Sequence, residues 1–446
     1  MQVDSQLRLE NAVKEGICVG CGACVALDSK SLSLMEYDDY GPVPRFEEDS
    51  VLASFVEKAC PALGIDYPEL YQFHYKRYPE NWLTGHSEKV RTGYSANPEI
   101  RSIGASGGVL TNTLLYLLQN GLVDAVIHAK QGIPTPESAR YVVSRTEEDI
   151  LAGAQSIYIP VSMLDSLQDL EPGKRYAIVC LPDQAASLRV MQQHGFPQAM
   201  QIKYVLGPFT GTALYPSAIR CYLRSKRVKD SDGITSLKWR AGEWPGYLEV
   251  KTESGRVVRT PKVYYNFLIP FFVTRASLQS MDFANEFADL AVGDAWSPVH
   301  ESEGGGHSVV VTRSQEMEHI ISDMVEKGYL SLQEEELLKA SEMHGHMIDF
   351  KKRGSWLRNN WRIKTGRMAP DFGYRPARIP FSRVFVEIVI SGIFAIGRTR
   401  MARWLVSRIP ESILGPLFDK SRLGWKKASR PTKRKGLSNF EVVIGQ

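Results

Sequence analysis

Gly16-Ile-Cys-Val-Gly-Cys-Gly-Ala-Cys-Val25 spaces Cys18, Cys21 and Cys24 with two residues between neighbours, and Cys60-Pro61 follows much later. Three thiolates on one tight, glycine-containing loop can hold three corners of a cubane, and a remote Cys-Pro can supply the fourth, as in ferredoxin-type [4Fe-4S] sites. Zinc is the rival, because four-cysteine zinc sites also use closely spaced ligands; zinc ribbons, however, pair two ligands with two. The spacing therefore points to one cluster on Cys18, Cys21, Cys24 and Cys60. A helix over residues 50–59 would deliver Cys60 back to the loop. Residues 1–66 read as a small ferredoxin-like segment whose meagre core depends on its metal.

Outward from that loop, the totals set the class. A chain of 446 residues is long enough for two or three cores. Six cysteines, four of them in one metal pattern, make no disulfide framework, so a reducing compartment, the cytoplasm, is expected. Residues 1–15 are polar and carry no secretory signal pattern.

Residues 31–35 alternate as a short strand, Asp38-Asp-Tyr-Gly41 reads as a turn, and residues 67–98 read as an aromatic-rich loop. Arg101-Ser-Ile-Gly-Ala-Ser-Gly-Gly-Val109 then opens a helix over 110–119 and a strand over 123–127. A glycine-rich loop at a helix start aims unpaired amides at a phosphate or pyrophosphate. The same residues also make a tight turn that needs positive φ at Gly107 or Gly108, and both readings stand at this point.

Strands over 176–181 and 204–207 alternate with helices over 184–193 and 217–225, an α/β order. Cys180 and Cys221 fall in these elements and read as small buried hydrophobes. Short alternating runs over 234–239, 247–251 and 257–260 add a β-rich part, with Ser254-Gly255 as a hairpin turn. Strands over 288–294 and 308–312 and a helix over 315–327 follow. The fold class is α/β (α+β), divided as residues 1–66, 67–230, 231–345 and a basic helical extension over 346–446.

Residues 351–446 of that extension hold 22 Lys or Arg against five Asp or Glu, so they carry +17 and the remaining 350 carry −13. An acidic body with a basic tail argues for an anionic partner surface. Residues 381–396 are the most apolar part, too short and too interrupted by Arg383 and Glu387 to span a bilayer. Arg398, Arg400, Arg403 and Arg408 among Met401, Trp404, Leu405 and Val406 suit either an interfacial helix on anionic lipid or a helix docked on protein with a solvated basic face. Nucleic acid is not expected, since no binding module accompanies the basic runs.

Several landmarks now stand in one order: the cysteine loop with Cys60-Pro61, Gly93-Tyr-Ser95 to Arg101-x4-Ser106-Gly-Gly108, Pro182-x-Gln184, Trp239-Arg240-x3-Trp244 and Ala288-Asp289-x3-Gly293-Asp294-x-Trp296. Over about residues 10–330 this resembles the coenzyme F420 hydrogenase/dehydrogenase beta-subunit family. The resemblance implies an iron-sulfur flavoprotein oxidoreductase with an FAD-binding α/β body. Gly104, Ser106, Gly107 and Gly108 are similar to the family's flavin-contacting Ser-Ser-Gly-Gly-Val segment, with Ala105 in place of the first serine. Asp294 is a candidate for orienting flavin or substrate, or a cap. Some members exchange hydride with coenzyme F420, which makes it a candidate substrate; others reduce tetrapyrroles.

The chain departs from the family where Asp183, Thr210, Ser277 and Ser280 stand at positions that often hold cysteines, in some members for a second cluster. Hydroxyls and a lone carboxylate are poor ligands for a thiophilic cubane, so one cluster per chain is expected. Electrons would pass between FAD and that cluster, toward a partner protein or small carrier. The competing expectation is a non-catalytic relay or assembly subunit, at a membrane or beside polysaccharide-synthesis enzymes, and a homo-oligomer is compatible with either. No general acid or base is assigned, although His307 beside the glycine run is a candidate.

Overall fold

The computed structural model describes residues 2–37, 40–47 and 55–445. Strands β1 (Leu32–Tyr37) and β2 (Gly41–Phe46) form an antiparallel ribbon beside the cysteine loop. Asp38 and Asp39 of the expected turn lie outside the described residues, as does the first half of the helix read over 50–59. Residues 55–59 form turns.

The body is built on one eight-stranded mixed sheet. Its strands are β3 (Lys89–Ser95), β4 (Ala125–Gln131), β5 (Ala139–Ser144), β6 (Tyr176–Val179), β7 (Ile202–Pro208), β11 (Leu290–Asp294), β12 (Ser308–Thr312) and β13 (Leu330–Glu334), in the order β13-β3-β12-β11-β7-β6-β4-β5. Between β7 and β11 the chain makes a separate antiparallel sheet of β8 (Ile234–Ala241), β9 (Tyr247–Thr252) and β10 (Val257–Pro261).

Strands β4, β6, β7 and β11 run parallel, and their central apolar residues are buried on both faces, with Lys203 of β7 exposed. Their period of two sorts side chains into two cores. Val126, Ala177 and Leu206 meet the helices Val109–Gln119 and Gln315–Glu326 through Leu114, Leu117, Ile321 and Met324. Ile127, Ile178 and Val205 meet Leu188 and Met191 of the helix Pro182–Gln193 on the other face.

Residues 67–98 are not a loop. They hold a helix, Tyr67–Tyr75, and the interior strand β3. Asp66 caps the helix through the Glu69 amide, and Tyr67, Leu70 and Tyr71 bury at helical spacing. β3 escapes a pattern reading because buried Arg91 and Thr92 are polar; Arg91 is held by Glu318 at 2.6 Å.

The C-terminal extension is fastened to the body by charge. The helix Leu337–Asp349 continues through one π-helical turn, Phe350–Gly354, into the helix Ser355–Lys364. The wider turn buries Lys351, Lys352 and Arg353 together. Lys352 pairs with Glu286, and Arg353 and Arg383 share Asp349 at 2.6 and 2.7 Å. Arg358 and Arg383 share Glu387 at 2.6 and 3.0 Å. Part of the tail's positive charge is thus consumed internally.

The helix Phe381–Gly397 docks with Val386, Ile390 and Phe394 against Val273, Leu278 and Phe350. Its outward side is apolar, whereas the next helix, Arg400–Arg408, exposes Arg400 and Arg408 together with Met401, Trp404 and Leu405. Among the described residues no helix is long and apolar enough to cross a membrane.

Breaking a buried pair by removing one partner costs about 3–5 kcal/mol, because the other charge stays desolvated. Glu387→Ala leaves buried Arg358 without a carboxylate and Arg383 with Asp349 alone, and a loss of that order is expected in urea unfolding. A loss under about 1 kcal/mol, the worth of an exposed pair, would show that water reaches the site.

Candidate functional site

Gly20 and Gly22 give the cysteine loop its shape. Both have positive φ (66° and 84°), and a Cβ on either would lie 2.7 Å from Pro42 O or 2.6 Å from Asp165 N. Leu164 N donates to Cys21 O at 2.9 Å and seats the loop on the body. Cys18, Cys21, Cys24 and Cys60 border one cavity of about 20 Å³. The Gly20 amide donates to Cys18 Sγ at 3.4 Å, and the amides of Ala23, Val25, Ala62 and Leu63 approach the other sulfurs. Burial first, and the neighbouring sulfurs after it, push the Cys21 and Cys24 thiols well up; Cys60 rises to about 12. Four soft donors around one space, with backbone N–H groups turned to sulfur, fit a thiophilic cluster.

A much larger cavity, about 430 Å³, opens at the carboxyl ends of the parallel strands. His128, Val179, Pro208 and Asp294 line it from β4, β6, β7 and β11, the position where open α/β sheets bind ligands. Gly104, Ala105, Ser106 and Gly108 form one wall, followed by Val109, Leu110 and Thr111 from the first helical turn, whose amides have no intrahelical partner.

The same cavity is lined by a basic group, Arg240 and Lys262, that sequence reasoning left without a role. Arg240 grips both carboxylate oxygens of Asp294 at 2.9 and 3.1 Å, while its Nη2 is buried without a partner. Burial alone would raise the Tyr158 phenol, but the charges of Lys262 and Arg240 pull it below its usual range. His344 is held down to about 4 by burial and is neutral. Trp239-Arg240 was the available signal for this group, but strands β8 and β11 meet only in the folded chain.

The glycine loop divides its residues. Gly108 caps the helix at φ 74°, so the positive-φ requirement falls there. Gly107 does not line the cavity; its amide donates to Ser308 Oγ at 3.0 Å, and a Cβ there would lie 2.6 Å from Gly93 O. Gln184 turns out to be architectural: it accepts from Leu181 N at 2.9 Å and donates to Val161 O at 2.8 Å. His307 lies off the cavity, stacked on His300 at 4.5 Å and 3.0 Å from Glu303. Cys180 and Cys221 are buried thiols raised by desolvation, as expected of small hydrophobes.

A third cavity, about 60 Å³, lies between the other two. It shares Cys18, Val19 and Gly20 with the cysteine cavity and Val161, Leu181, Gln184, Thr210 and Ala213 with the large one. Asp183, Thr210, Ser277 and Ser280 all border it. Their polar atoms are engaged by protein: Ser280 Oγ donates to Asp183 at 2.9 Å, and Ser277 Oγ accepts from Ala213 N at 2.9 Å. Lys351 reaches in from the extension and donates to Ser277 O at 2.8 Å. This donor set does not fit a second iron-sulfur cluster.

Burial holds Lys351 down to about 8, with Asp183 opposing the shift. A lysine whose folded value is depressed binds fewer protons folded than unfolded between about pH 8 and its ordinary value near 10.4, so stability rises with pH across that window. Relative to Lys351→Met, the wild type is expected to gain up to about 1.4 kcal/mol per pH unit there in urea unfolding. Parallel pH profiles would refute this.

Residues 90–168 match the N-terminal part, and residues 173–337 the C-terminal part, of the family described as "Coenzyme F420 hydrogenase/dehydrogenase, beta subunit", together more than half of the chain. A coenzyme F420-dependent sulfite reductase of Methanocaldococcus jannaschii is 25% identical over 386 residues, 82% of this chain and 54% of that protein. This chain thus spans about half the length of that relative. The coenzyme F420 hydrogenase subunit beta of Methanothermobacter thermautotrophicus is 22% identical over 259 residues, 55% of this chain and 84% of that one. In the F420-reducing [NiFe] hydrogenase complex of Methanosarcina barkeri, one chain shares the fold at a TM-score of 0.50 and 19% identity, covering 64% of this chain and 97% of its own. The chain belongs to the coenzyme F420 hydrogenase/dehydrogenase beta-subunit family.

Proposed function

We propose that this chain is an iron-sulfur flavoprotein oxidoreductase that moves electrons between FAD in the large cavity and one [4Fe-4S] cluster on Cys18, Cys21, Cys24 and Cys60. The observation that carries the reading is the row of three adjoining cavities, with Cys18 at one end of the middle chamber and the large cavity at the other. FAD would exchange hydride with a substrate and single electrons with the cluster. The names of the relatives make coenzyme F420 the hydride-bearing substrate of choice. A redox partner protein or small carrier would take electrons at the cluster end.

The chain's own residues have distinct tasks in this scheme. The first-turn amides after Gly108, with the helix dipole behind them, suit a diphosphate. Arg240 offers its unpartnered Nη2 to an anionic group, and Asp294 is the positioning residue that holds the guanidinium in place. Val161 and Leu181 keep apolar surface between the chamber and the large cavity. Neutral His344 leaves the region free of a third cation.

Anaerobically purified protein is expected to hold about four iron, about four acid-labile sulfides and one FAD per chain, as a single cubane requires. Reduced coenzyme F420 is expected to bleach the flavin absorption of the isolated chain. Cys60→Ser should lower cluster content while FAD remains. Iron and sulfide at roughly twice the content of one cubane would contradict the one-cluster reading, and a flavin-free chain after reconstitution would end the flavoprotein reading. Bound cofactors with no turnover, together with a co-purifying redox enzyme, would instead favour the non-catalytic relay subunit.

A further inference from the structure

We infer that the outer surface of the helices Phe381–Gly397, Arg400–Arg408 and Glu411–Arg434 docks on an anionic lipid bilayer, lying in its interface without crossing it. Among the described residues, 26 large hydrophobic side chains are exposed, and 12 of them fall between Phe381 and Leu423. That density, in about a tenth of the chain, marks a face built to be covered.

The first helix sets the geometry. Arg383, Val386, Glu387 and Ile390 turn inward and are buried. At 100° per residue, Phe381, Phe385, Ile388 and Ile396 fall on the opposite side, where they are 54% exposed or more, Phe381 84%. Met401, Trp404 and Leu405 continue the exposed apolar surface on the second helix, and Ile413 and Leu417 on the third.

Charge identifies the occupant. The three carboxylates between residues 381 and 435 are each tied in an ion pair: Glu387 with Arg358 and Arg383, Glu411 with Lys226, and Asp419 with Arg422. The exposed charge is positive: Arg400, Arg408, Lys420, Lys426, Lys427, Arg430, Arg434 and Lys435. Arg408 lies over the Trp404 ring at 4.3 Å, an amphipathic pair suited to the headgroup level. Lysine is depleted in the cores of protein interfaces, whereas clustered lysines beside apolar anchors gain from lipid phosphate. The first helix cannot span, because Arg383 and Glu387 tie its inner side to Asp349 and Arg358 of the helices before it. Lipid at this face would hold the enzyme flat on the membrane, whichever cofactors it carries.

Co-sedimentation of the full chain with vesicles tests this. Equal mixtures of phosphatidylcholine and phosphatidylglycerol are expected to bind it at least about ten-fold more strongly than phosphatidylcholine alone, with release as salt rises. The triple variant Phe385→Ser, Ile388→Ser, Ile396→Ser removes only exposed side chains; it is expected to unfold like wild type and to lose about ten-fold or more of the binding. Failure to pellet with the anionic vesicles at low salt, equal binding to both vesicle types, or a triple variant that binds like wild type would each overturn the inference. So would gel filtration without lipid that shows a wild-type dimer and a monomeric triple variant, which would assign the face to a second copy of the chain.

Discussion

A charge taken from water must meet its opposite, and this constraint fixes how the C-terminal extension joins the body. Lys352 and Glu286 are both fully buried, and Tyr71 and Tyr374 complete their hydrogen bonds. Within the extension, Asp349, Glu387, Arg353, Arg358 and Arg383 form a second buried network that holds the helix Phe381–Gly397 to the helices before it. Neither network tolerates displacement, because separating the partners would strand desolvated charge. The π-helical turn at Phe350–Gly354 is the local device that lets three consecutive basic residues all point inward. That fastening carries Lys351 into the chamber between the cysteine cavity and the large cavity, where the ammonium meets Ser277 O and faces Asp183. It also orients the helix Phe381–Gly397, whose inner side is committed to the networks and whose outer side is left apolar. One set of ion pairs thus shapes both the interior of the site and the exterior of the tail.

The sheet supplies the other half of the arrangement. Parallel β4, β6, β7 and β11 end together, and Asp294, Ser308 and Gly93 lie level across β11, β12 and β3. The glycine loop packs onto that edge through Ser106 and Gly107, so the helix start and the strand ends face one cavity. Placing a binding cavity there needs no special strand chemistry, since diverging connections at the carboxyl edge open a crevice in any such sheet.

Local pattern makes much of this legible. The spacing of Cys18, Cys21, Cys24 and Cys60, the glycine loop before a helix, the apolar runs of β6 and β7 and the alternating β8 to β10 each state their element within a few residues. The segment 67–98 hides its strand because β3 buries Arg91 and Thr92, so its inward positions look solvated until Glu318 arrives from 227 residues away. The tail announces a net charge, one apolar stretch and an amphipathic run, and none of these separates paired basic side chains from free ones.

The sequence by itself determined the donor types and the elements that carry them, because thiol spacing and hydrophobic period are properties of neighbouring residues. Only the tertiary structure decided that Arg240 clasps Asp294, that Asp183, Thr210, Ser277 and Ser280 share one chamber with Lys351, and that the outer side of the helix Phe381–Gly397 is apolar. These are contacts between distant segments, and burial and charge pairing, which choose among them, exist only once the chain has folded.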